Sequence, residues 1–174
     1  MKNIIYLLAF LFLLIGLFFI RSYYFQRPQK YIINEVIDFP IILENETKTI
    51  NISELNDKFV MLFFWDSEIN DMDISEFQKI VNIRMKDVRL ELFSINCSFE
   101  DENSSISKML NILDNNRDIL STFSLNKNNN LLRNLKINSF PTTVIINREE
   151  NIVFRGPTKL AEDIILMLTY SLEQ

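Results

Sequence analysis

Hydrophobic and polar positions follow a few distinct rhythms along this chain. Residues 4–20 are an unbroken apolar run between Lys2 and Arg21. About 17 residues at ~1.5 Å each span ~26 Å, enough for a bilayer core. A cleaved signal peptide is the competing reading, but Arg21, Ser22, Tyr23, Tyr24 and Phe25 follow in place of small residues. Tyr23 and Tyr24 suit an interfacial aromatic belt, so an uncleaved single-span anchor over residues 1–21 is expected. Residues 22–35, which include Pro28, read as a linker, and residues 36–174 as one domain.

Within that domain, residues 39–43 are extended, and Thr49-Ile50-Asn51-Ile52 alternates as a half-buried strand does. Glu44, Asn45 and Glu46 between them read as a turn. Ser53 then caps a one-turn helix. The seven apolar residues from Phe59 to Trp65, bounded by charge, predict a strand buried on both faces of a mixed or parallel sheet. Asp66 and Ser67 cap a helix from about Glu68, whose apolar positions are Ile69, Met72, Phe77, Ile80 and Val81. Residues 88–95 form a further strand. Helices are expected over residues 105–113 and 131–135. Residues 142–146 and 152–154 make a hairpin, with Asn151 taking the positive φ of its turn. An amphipathic helix over residues 159–172 closes the chain. The order β-β-α-β-α-β-β-α defines an α/β sandwich around a mixed sheet.

Composition narrows the chemistry. There is no histidine, which removes Ser-His-Asp and Cys-His catalysis and histidine-ligated zinc. Two glycines argue against a glycine-rich phosphate loop. A net charge of −5 without a basic run disfavours a nucleic-acid partner. Cys97 is the one cysteine, so no internal disulfide or Cys-x-x-Cys pair exists. Cys97 has two readings: a single-thiol redox site at a strand end, or a buried apolar-like thiol. The carboxylates Asp66, Glu68, Asp71 and Asp73 lack the spacing of a calcium loop and suit a helix N-terminus. No metal or cofactor is expected.

Four stretches taken in order carry a resemblance. Asp38-Phe39-Pro40 stands ahead of Ser53-Glu54-Leu55, a core strand ends in Phe63-Phe64-Trp65, Ser139-Phe140-Pro141-Thr142-Thr143 leads into the hairpin, and Gly156 follows it. In this the chain resembles membrane-tethered, thioredoxin-like disulfide reductases of the cytochrome c maturation type over residues 36–172. The resemblance implies a thioredoxin-like fold behind a transmembrane helix. It puts Ile69 and Met72 where that family carries its paired cysteines, and aligns Pro141 with its cis-proline. Neither Ile69 nor Met72 supplies a thiolate to attack or a thiol to resolve a mixed disulfide.

The resulting expectation is a redox-inactive thioredoxin-fold protein, anchored in the bilayer through residues 4–20. It would bind a protein or peptide on a face made by Trp65, Asp66, Ser67, Glu68, Phe140, Pro141 and Thr142. Arg21, Arg27 and Lys30 outweigh Lys2 and mildly favour the domain on the cytoplasmic side. The resemblance implies instead the periplasmic side of a bacterial inner membrane, with a role in envelope protein or cytochrome c maturation, and carries more residues. Two alternatives stand beside it: a weak disulfide oxidoreductase or peroxidase using Cys97, and a scaffold subunit of a membrane complex.

Overall fold

A computed structural model describes residues 15–16, 31–44, 48–55, 57–98, 104–116, 120–124 and 130–170. The chain divides into two units, residues 1–32 and 33–174. In the first, residues 15–16 are helical and 31–32 are described; the rest of the expected anchor and its interfacial tyrosines lie outside the described residues. Among the described residues no helix is long and apolar enough to cross a membrane.

The second unit is built on a six-stranded sheet. Its strands are β1 (Ile32–Val36), β4 (Phe59–Trp65), β5 (Leu90–Asn96), β6 (Leu120–Ser124), β7 (Thr142–Ile146) and β8 (Asn151–Gly156), in the order β1-β8-β7-β4-β5-β6. A separate antiparallel pair is formed by β2 (Ile42–Glu44) and β3 (Thr49–Asn51). The helices are α1 (Asp71–Arg84), α2 (Ser104–Asn115), α3 (Leu131–Asn134) and α4 (Thr158–Tyr170). β4 runs parallel to β5 and antiparallel to β7, and β5 runs parallel to β6, so the sheet is mixed as the pattern requires.

All seven residues of β4 are buried, because each face of the sheet is covered. Met61, Phe63 and Trp65 lie on the side where α1 and α4 pack together, and the Phe77 ring of α1 stacks on Phe63 with centroids 4.2 Å apart. Val60, Leu62 and Phe64 lie on the other side. There they join Phe93, Ile95, Phe123, Val144 and Ile146 beneath the β2–β3 pair and α3. Period-two alternation within one buried strand thus feeds two cores.

Several local expectations are corrected. Residues 32–35, read from the sequence as the end of a linker, belong to the edge strand β1; Glu35 accepts hydrogen bonds from Arg155 of β8 and from Lys136. The Lys136 and Arg155 hydrogen bonds, in that order, hold the Glu35 carboxyl below its ordinary range. β6 was not predicted at all. The turn after β3 is a 3-10 turn, Ile52–Leu55, and its capping oxygen comes from Asn51, which accepts from the Ser53 amide at 3.3 Å, so Ser53 is not the cap. In the β7–β8 turn it is Glu150, not Asn151, that takes positive φ (61°). The reason is Asn147, whose side-chain oxygen accepts from the amides of Glu149 and Asn151 and closes the turn one residue earlier.

Candidate functional site

The carboxyl ends of β4 and β5, the amino end of β7 and the start of α1 meet at one end of the sheet. Phe64 pairs with Thr142 and Trp65 with Asn96, and the Cys97 amide donates to the Trp65 carbonyl at 2.7 Å. Parallel strands therefore deliver Asp66 and Cys97 to adjacent positions, and the antiparallel β7 brings in Phe140-Pro141, whose peptide bond is cis as the resemblance implies.

The entry to α1 differs from the expected one. The chain leaves β4 and makes a tight turn in which Asp66 accepts from the Glu68 amide through its side chain at 3.0 Å and from the Ile69 amide through its carbonyl at 3.3 Å. The helix then begins at Asp71, and its N-cap is Asn70, whose side-chain oxygen accepts from the amides of Met72 (2.9 Å) and Asp73 (3.1 Å). A cap of this kind contributes about 1 kcal/mol. Asp66 and Ser67 are good capping residue types, but the intervening turn takes Asp66, and Asn70 followed by Asp71 and Asp73 is the stronger start signal.

This later start separates Ile69 and Met72, the two positions that the resemblance aligns with paired cysteines. Ile69 precedes the helix and is 2% exposed, sealing the core; Met72 sits in the first helical turn and is 71% exposed. The periodicity had grouped Met72 with the buried stripe, which instead consists of Ile74, Phe77, Ile80 and Val81. Beside Met72, Asp71 pairs with Lys108 of α2 at 2.6 Å.

The expected peptide-binding face is only partly a surface. Trp65 is fully buried, and its indole N–H donates to the Ser94 hydroxyl at 2.8 Å. It is a core residue, not a rim residue. Thr142 is also buried, and its hydroxyl donates to the Ser139 carbonyl at 2.6 Å. Asp66, Ser67, Phe140 and Pro141 are half-buried and Glu68 is exposed, so these five keep some surface at this end of the sheet. Phe140 also packs against the core beneath α3.

Cys97 belongs to that same core, on the face of the sheet opposite α1, and is 2% exposed. Burial first, and then the nearby Asp66 carboxylate, push its thiol up to about 12, against a smaller opposing effect of its backbone hydrogen bond to Trp65. At neutral pH the sulfur is a thiol, and its contact is the Ile95 carbonyl at 3.7 Å. Among the described residues no group of three or more carboxylate or thiol side chains is placed to hold a metal ion.

No protein-family model matches the chain, and no curated protein does. Solved structures do. The thioredoxin domain of a thiol-disulfide oxidoreductase from Bacteroides vulgatus aligns with a TM-score of 0.54 at 13% identity, over 78% of this chain and 98% of that one. A thioredoxin-like protein from Aeropyrum pernix gives 0.57 at 12% identity, over 74% and 89%. StoA from Bacillus subtilis gives 0.52 at 15% identity, over 73% and 95%. The chain has a thioredoxin-like α/β fold. At these identities the likeness is one of fold.

Proposed function

We propose that this chain is a membrane-held thioredoxin-fold domain that carries out no thiol–disulfide exchange and binds a segment of a partner protein where α1 begins. One observation carries the reading: the chain's one thiol is buried across the sheet from that helix, and the resemblance puts Ile69 and Met72 where paired thiols would be needed. Exchange requires a thiolate with access to a disulfide sulfur. Cys97 has neither the charge state nor the access, which weighs against the single-thiol alternative. What this end of the sheet retains is a half-buried Phe140-Pro141 edge and, in the first turn of α1, an exposed Met72, whose unbranched thioether adapts to varied apolar partners.

The apolar run of residues 4–20 supports a single-span anchor. The resemblance, against the weak charge bias of Arg21, Arg27 and Lys30, favours a bacterial inner membrane with the domain in the periplasm, where envelope protein or cytochrome c maturation would supply the partner. Site-specific photo-crosslinking tests the location of binding. With the full chain in source-cell membranes, a photoreactive residue at position 72 is expected to give discrete adducts. One at Met85, also solvent-facing but at the other end of α1, is expected to give none. Adducts from Met85 alone, or from both positions alike, would contradict the reading.

A further inference from the structure

At the opposite end of the sheet lies a cavity that the proposed binding site does not use. β7 separates the two ends by five residues, roughly 17 Å of strand. The cavity, open to solvent on one side, has a volume of about 320 Å³ and is lined by the chain leading into β2, the start of the 3-10 turn and the β7–β8 turn. Its floor is apolar, with Ile41 and Ile52 both buried and Phe39 half-buried beside them. Two carboxylates, Asp38 and Glu150, stand at its walls, together with Asn51 and Ser53.

The walls are tied down by the backbone. The Ile52 amide donates to the Ile41 carbonyl at 3.0 Å, joining the two sides of the cavity. Glu150 sits in the turn organised by Asn147, its own amide donating to the Asn147 carbonyl at 3.1 Å. Among the described residues neither the Asp38 nor the Glu150 carboxylate takes a hydrogen bond or an ion pair. This contrasts with Glu35, Asp71, Asp87 and Glu91, each of which is paired with a Lys or Arg. Two uncompensated carboxylates above an apolar floor complement a cation on an aliphatic stem.

We propose that this cavity takes a basic side chain, lysine or arginine, presented by a partner protein: the methylenes lie over Phe39, Ile41 and Ile52, and the charged head lies between Asp38 and Glu150. The proposal is independent of the binding reading at the α1 end. A metal ion fits less well, since the cavity offers two carboxylates and an apolar floor where a hard cation demands a shell of oxygens.

The test is a titration of the isotope-labelled full chain in detergent micelles, followed by backbone amide shifts. The probe is a blocked tripeptide with a central lysine, compared with its norleucine counterpart and with calcium ions. Saturable shifts at Asp38, Asn51, Ser53 and Glu150 are expected with the lysine peptide by about 10 mM, the range of a weak single-residue contact. The double variant Asp38→Asn, Glu150→Gln is expected to weaken them about tenfold, as loss of two partly screened ion pairs would; raised salt acts in the same direction. Both substitutions keep side-chain size, and unchanged shifts elsewhere report that the fold is intact. Equal response to norleucine, no response to lysine at that concentration, shifts unaffected by the double variant, or a response to calcium but not to lysine would each overturn the proposal.

Discussion

Replacing Phe77 with alanine is expected to lower the unfolding free energy by about 3–5 kcal/mol. The side chain is fully buried at the middle of α1, and its ring lies on Phe63 at 4.2 Å with the planes 16° apart. The loss has two parts: the transfer of an aromatic group out of water, and the cavity left between a helix and a rigid strand. The stacked pair adds about 0.5–1.5 kcal/mol beyond area alone. A domain of this size has only about 5–15 kcal/mol in total, so the variant would unfold at much lower urea than the parent. Met72→Ala, on the same helix, is expected to change stability by less than about 0.5 kcal/mol because Met72 faces water. Comparable losses for the two variants would mean that α1 is not seated on β4 as described.

The second large effect concerns Cys97. Its thiol is expected to react with a disulfide reagent at pH 8 about a thousandfold more slowly in the native chain than in the unfolded one. The factor follows from a rise from 9.0 to about 12, three decades of thiolate population, before steric shielding is counted. The sign also sets a pH dependence. The native thiol holds its proton to higher pH than the unfolded one, so the stability tied to its neutrality is intact below pH 9.0 and is lost as pH climbs towards about 12. Cys97→Ala should remove that alkaline contribution. Native labelling as fast as in urea would show the sulfur to be accessible and ionised.

Much of this architecture was legible because strong, local signals carried it. Seven consecutive apolar residues from Phe59 to Trp65 can be satisfied only between two covered faces. The β7–β8 hairpin and the closing helix announced themselves by period. The edge strand β1 did not. Its alternate residues Ile32, Asn34 and Val36 are exposed, so its sequence resembles a linker's, and its place is fixed by distant partners, Arg155 and Lys136. β6 was missed for a similar reason: Leu120-Ser121-Thr122-Phe123-Ser124 carries too little apolar pattern, and its strand state comes from pairing with β5.

The site was less legible than the fold. The resemblance puts Trp65 on a peptide-binding face although the apolar run reads it as buried; its indole finds a buried acceptor, Ser94, supplied by β5 from 29 residues away. The start of α1 depended on which of Asp66, Ser67 and Asn70 spent its side chain on which amide, a competition that residue type alone does not decide. The uncompensated state of Asp38 and Glu150 was likewise invisible, because it depends on where the lysines and arginines of other elements fall.

The most direct measurement is disulfide-reductase turnover by the purified full chain in detergent, with insulin as substrate, dithiothreitol as electron donor and an active thioredoxin as reference. The account predicts a rate no higher than the uncatalysed background, for the parent chain and for Cys97→Ser alike. Turnover well above background that disappears in Cys97→Ser would contradict it, and would make the buried thiol the centre of a single-cysteine enzyme.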